Sequence, residues 1–124
     1  MLKSILFVGI GSFAGGVLRY IISYLMKNVS SYQTFPWATL IANLLGCFLI
    51  GIIFAIFSKY SNINNPLYLL LATGFCGGFT TFSTFANESL QMLQSGNILG
   101  FVSYTLTSII FGIILVWLGY IIAK

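Results

Sequence analysis

Gly74-Phe75-Cys76-Gly77-Gly78-Phe79-Thr80-Thr81-Phe82-Ser83-Thr84-Phe85 lies inside an uncharged stretch, Pro66 to Asn87, that is long enough to cross a bilayer. An ordinary lipid-facing helix would be Leu, Ile and Val. These twelve residues are three Gly, four Phe, three Thr, one Ser and one Cys. Each glycine weakens a helix by about 1 kcal/mol relative to alanine. Freed carbonyls and hydroxyls at membrane depth are tolerated where protein or a polar cavity receives them. The spacing therefore predicts a helix broken near the middle of the span, presenting backbone and hydroxyl oxygens to an ion.

Outward from this stretch, the 124-residue chain reads as a single transmembrane domain, residues 1–124, with four spans at about 4–26, 36–58, 66–91 and 98–122. Its charged side chains are Lys3, Arg19, Lys27, Lys59, Lys124 and Glu88. Four helices this apolar would have no polar face to show to water, so the expected class is an all-α membrane protein. The first span is too long for a signal-peptide core and is followed by no small-residue cleavage site. The basic residues are scattered singly, which argues against nucleic acid as a partner. Cys47 and Cys76 fall near the centres of spans, which favours buried free thiols over a disulfide, and two cysteines without His make a poor metal site.

The connections are short: Lys27 to Phe35, Lys59 to Asn65 and Met92 to Asn97. Asn65-Pro66 reads as an N-cap followed by proline at the first helical position. Four spans put both termini on one side, with Lys3, Lys59 and Lys124. Lys27 falls on the other, with Arg19 if it reaches the surface. That bias favours cytoplasmic termini under the positive-inside rule, but it is slight enough to suit insertion in both orientations.

Several residues have two readings. Arg19 is either a snorkelling side chain near a helix end or a fixed positive charge that concentrates anions in a vestibule. Gly11 and Gly15 have the spacing of close helix packing. Asn43 is either interhelical glue or a pore-lining donor. Phe82 and Phe85 stand roughly 60° apart on a helix, flanking Ser83 and Thr84. Packing is the ordinary role of such a pair, yet a phenyl ring also offers an anion its positive edge. Tyr104 and Ser108, with Thr105 and Thr107, give the fourth span a polar stripe, although hydroxyls can satisfy themselves on their own backbone. There is no His and no Asp, and Glu88 lies past the expected break, near the end of its span. Proton-coupled pumping and membrane hydrolysis generally use a titrating group at depth, so passive conduction is the simpler reading and enzymatic activity is not expected.

The run Gly74 to Phe85 resembles the signature of the Fluc, or CrcB-type, fluoride channels. Arg19 in Gly16-Val17-Leu18-Arg19-Tyr20 and Asn43 in Ala42-Asn43-Leu44-Leu45-Gly46 sit where that family has its first- and second-helix motifs, and the likeness spans the whole chain. The resemblance implies an antiparallel, dual-topology homodimer in the bacterial cytoplasmic (inner) membrane, with two pores along the dimer interface that passively export fluoride and relieve its toxicity. It implies a central structural Na⁺ held by backbone carbonyls of Gly77 and Thr80. By the same resemblance Phe82, Phe85, Asn43, Ser83, Thr84, Tyr104 and Ser108 line the fluoride path and Arg19 lies in a vestibule. Two other readings compete. A small multidrug-resistance-type exporter depends on a Glu in its first helix, where this chain has Arg19. A non-transporting assembly protein leaves the polar middle of the third span without a purpose.

Overall fold

The computed structural model describes residues 1–27, 35–60 and 65–124, and for Tyr60 the backbone alone. The interiors of the first two connections, residues 28–34 and 61–64, lie outside the described residues. Among the described residues four helical spans are each long and apolar enough to cross a membrane: Leu2–Met26, Trp37–Lys59, Pro66–Gln94 and Ile98–Ala123. The first, second and fourth are the helices α1 (Leu2–Met26), α2 (Trp37–Tyr60) and α6 (Ile98–Ala123).

The third span is built from pieces. Asn65 caps it as expected, its Oδ1 accepting from Leu67 N at 2.8 Å with Pro66 in the first turn. Helix α3 (Pro66–Tyr68) runs into a π-helical stretch, Leu69–Cys76, and then α4 (Gly77–Phe79). Thr80 and Thr81 are extended, at φ −88°, ψ 159° and φ −152°, ψ 123°. Helix α5 (Phe82–Gln94) resumes with Thr81 as its cap, Thr84 N donating to Thr81 Oγ1 at 3.2 Å. The turn to α6 uses Gly96 at φ 81°, the left-handed region glycine enters without penalty.

The interruption expected near the middle of the span therefore falls at Thr80–Thr81, just past the glycine pair. Gly77 has ordinary helical angles, φ −63° and ψ −37°. The neighbouring glycines serve backbone approach instead. A Cβ on Gly11 would collide with Leu70 O, one on Gly15 with Phe75 O, and one on Gly78 would come within 2.5 Å of Ser12 O. α1 and the first half of the third span thus pack main chain against main chain. α2 and α6 do the same through Gly51 against Val116 O and Gly119 against Phe48 O. Gly77, by contrast, has open space, since a Cβ there would meet nothing within 4 Å.

Between α2, α5 and α6 sits a small core of Leu40, Met92 and Tyr104, against which Phe35, Leu44, Phe85 and Phe101 pack. Tyr104 is wholly buried, while Phe13, Leu99, Ile113 and Ile122 stand far out of the chain. Such outward apolar side chains suit hydrocarbon rather than water as solvent.

Candidate functional site

The helical ladder of the third span ends with Thr80 N donating to Cys76 O at 3.0 Å, and the Thr80 hydroxyl joins the same oxygen at 2.9 Å. In a continuing helix Thr81 N would bond Gly77 O. Asn43 captures it instead, its Oδ1 accepting at 2.8 Å while its Nδ2 donates to Thr81 O at 3.1 Å. One carboxamide on α2 thus satisfies both main-chain groups of Thr81 and holds the break open. The diversion deprives Gly77 O of its i+4 donor. Gly78 O, one residue on, receives Arg19 Nε at 3.3 Å. A guanidinium at the carbonyl end of a half-helix also meets that end's partial negative charge.

Two hollows flank the break. One, of about 490 Å³, is lined by Asn43, Gly77, Thr80, Phe82, Phe85 and Ser108, with Cys47 and Cys76 on its wall. The Phe82 and Phe85 ring centroids are 5.7 Å apart and tilted by 43°. Their surroundings differ. Phe85 packs on Tyr104, centroids 4.9 Å apart, whereas Phe82 is 78% exposed and leans out of the chain. Ser108 Oγ is buried without a hydrogen-bond partner, as is Thr105 Oγ1. Helical hydroxyls can bond the carbonyl one turn back, as Ser58 does to Phe54 O at 2.6 Å and Ser89 to Phe85 O at 2.8 Å. The Ser108 hydroxyl does not, and remains an unsatisfied donor on the wall of the hollow.

The second hollow, of about 400 Å³, is lined by Arg19, Tyr20, Ser23, Thr39, Thr84 and Glu88, among others. Here the structure adds a residue that the sequence reading gave no part. Glu88 Oε2 accepts from Thr39 Oγ1 at 3.0 Å and Glu88 Oε1 from Tyr104 OH at 2.9 Å. Its carboxylate ties α2, α5 and α6 together, and through Tyr104 it reaches the ring that packs on Phe85. A lone acid in an apolar span must find donors, and that was the signal available in the sequence.

Of the residues singled out from sequence, Asn43, Gly77, Thr80, Phe82, Phe85 and Ser108 gather on the first hollow. Arg19 and Thr84 line the second. Tyr104 lines neither of these two; it is buried and presents its hydroxyl to Glu88. Ser83 is exposed at the start of α5, its Oγ 3.4 Å from Thr81 Oγ1. Among the described residues no group of three or more His, Cys, Asp or Glu is gathered.

Comparison with known proteins bears on this arrangement. The family model described as CrcB-like protein, Camphor Resistance (CrcB), matches residues 6–120. A relative from Leptospira interrogans, serogroup Icterohaemorrhagiae serovar copenhageni, is 47% identical over 111 residues, covering 90% of this chain and 87% of its own. One from Phocaeicola vulgatus is 45% identical over 118 residues, 95% and 96% of the two chains. One from Azobacteroides pseudotrichonymphae is 44% identical over 124 residues, 100% and 98% of the two. All three relatives are named fluoride-specific ion channel FluC.

Proposed function

The chain belongs to the CrcB family, and on that premise we propose that it is a multi-pass membrane channel, not an enzyme, that passes fluoride down its gradient. The observation that carries the reading is the hollow at the break. Its wall joins the unsatisfied Ser108 hydroxyl to two phenyl rings and the Asn43 amide. Fluoride is small and strongly hydrated, so a path for it must replace water with donors and positive ring edges. Asn43 Nδ2 has a second hydrogen beyond the one given to Thr81 O. Thr84 and Ser83 extend the polar surface around the break, and Tyr104 backs Phe85. Arg19, in the second hollow, supplies the positive charge that draws anions in from water.

A single chain leaves this path open on one side. The exposure of Phe82 and the empty space around Gly77 support a second copy covering both, arranged as an antiparallel homodimer with dual topology. The slight charge bias between the two sides permits insertion both ways. The residues present also fit a structural Na⁺. Gly77 O, released from its helical donor, and Thr80 O, in the extended segment, are hard oxygen ligands at the negative end of a half-helix. Two antiparallel copies would bring two such ends together, and a bound Na⁺ would make the midplane less hostile to anions. The location proposed is the bacterial inner membrane, where passive export relieves fluoride toxicity.

The test is growth of fluoride-sensitive cells that lack their own fluoride channel. The chain should restore growth in fluoride and leave sensitivity to lipophilic cations unchanged. Protection against the cations alone would point to an exporter, and protection against neither to a non-transporting protein.

A further inference from the structure

Cys47 and Cys76 have no part in the path described above. α2 carries Cys47 one turn beyond Asn43, and the π-helical stretch ends on Cys76. Both thiols are free; Cys76 is buried and Cys47 half-buried. They reach the wall of the same hollow from two different helices, beside Gly77, Phe82 and Phe85. The Asn43–Thr81 bonds, and Gly46, where a Cβ would collide with the Thr80 methyl, set α2 against the end of the first half-span and bring the two cysteines to neighbouring levels. Gly112 of α6 faces Cys47, and a Cβ there would stand 3.4 Å from Sγ.

Two thiols from two helices on one wall make a ligand set of a definite kind. With no third His, Cys, Asp or Glu gathered among the described residues, they do not suit a four-coordinate zinc ion. Thiolate sulfur selects soft cations, and two sulfurs suffice for a two-coordinate one. Binding is ligand exchange without redox change. Each S–H bond breaks, its proton goes to water, and the sulfur lone pair forms the bond to the metal.

We propose that Cys47 and Cys76 together form a two-thiolate site for a soft monovalent cation, with Ag⁺ as the probe, and that its occupancy obstructs the fluoride path at the break. The obstruction rests on the channel reading; the site itself does not. Full-length protein is loaded with Ag⁺ in chloride-free buffer, and two quantities are measured: silver retained after gel filtration, and fluoride efflux from liposomes. The wild type should retain about one Ag⁺ per chain, as a paired-thiolate site requires. Its efflux should fall by about tenfold or more, a barrier increase of about 1.4 kcal/mol, and recover with excess dithiothreitol. Cys47→Ser and Cys76→Ser should each abolish retention and inhibition together. Cys47→Ala and Cys76→Ala replace any serine variant that does not elute as folded protein. Silver retained by either single variant makes the thiols independent and overturns the pair. Silver retained by the wild type with unchanged efflux overturns the obstruction. Absence of fluoride efflux before silver is added counts against the channel reading alone, while retention still decides the site.

Discussion

The two halves of the third span share one stretch of sequence and behave differently. The first half, Pro66 to Phe79, is welded to α1 through Gly11, Gly15 and Gly78, where main chain meets main chain, and it buries Phe79 almost completely. The second half, α5, is held by a few side-chain bonds, Asn43 to Thr81 and Thr39 and Tyr104 to Glu88, and leaves Phe82, Leu90 and Leu93 exposed. Apart from Gly77, the first half is finished within one chain. The second carries the functional surface and is completed by whatever covers it.

The most drastic way to break this contrast is to place a side chain on each side of the first half, one in its seam with α1 and one at Gly77, which faces out of the chain. Gly15→Leu drives carbons into the backbone at Phe75 and should destabilise the fold by about 3 kcal/mol or more. Little folded protein should elute on gel filtration. Gly77→Leu meets nothing within the chain, so it should leave the chain folded and disrupt only the pairing of copies, seen as lost cross-linked dimer. A normal dimer for Gly77→Leu would remove Gly77 from the interface.

Phe82→Ile sharpens the contrast inside α5. Exposed as it is, Phe82 contributes little to the packing of one chain, so the variant should fold. Fluoride efflux should nonetheless drop by about tenfold or more, equivalent to 1.4 kcal/mol on the barrier. Near-normal efflux in a folded Phe82→Ile, matched by Phe85→Ile, would return both rings to packing.

Asn43→Ala tests what holds the halves apart. It strips both hydrogen-bond partners from Thr81, and each buried group left unsatisfied costs about 1–3 kcal/mol. Thermal unfolding should shift down clearly, with efflux reduced. An unchanged melting temperature would mean that water or Gly77 O takes over.

The smallest expected effect concerns Glu88. Glu88→Ala orphans the Thr39 and Tyr104 hydroxyls and should cost about 1–3 kcal/mol. Adding Tyr104→Phe removes one of those stranded donors, so the double variant should lose less than the sum of the singles by about 0.5 kcal/mol or more. Strict additivity of the two melting shifts would show that the bond contributes nothing.

What the sequence disclosed and what it withheld follow from distance along the chain. The spans, the Asn65-Pro66 cap and the existence of a break depend on neighbouring residues and were legible. What holds the break open was not, because glycine propensity is local while Asn43 lies 38 residues from Thr81. The packing use of Gly11 and Gly15 was visible as spacing, but their partners at Leu70 and Phe75 were not. Glu88 escaped for the same reason, its donors lying 49 and 16 residues away. The Tyr104–Ser108 stripe looked like one feature, yet burial divides it: Tyr104 turns to Glu88 and Ser108 to the hollow.

Liposomes loaded with equal fluoride and chloride, holding the purified chain and clamped by a potassium ionophore, test the central claim most directly. Fluoride should leave rapidly while chloride stays behind. Release of both anions at similar rates, or of neither, would contradict a fluoride-selective path through the break.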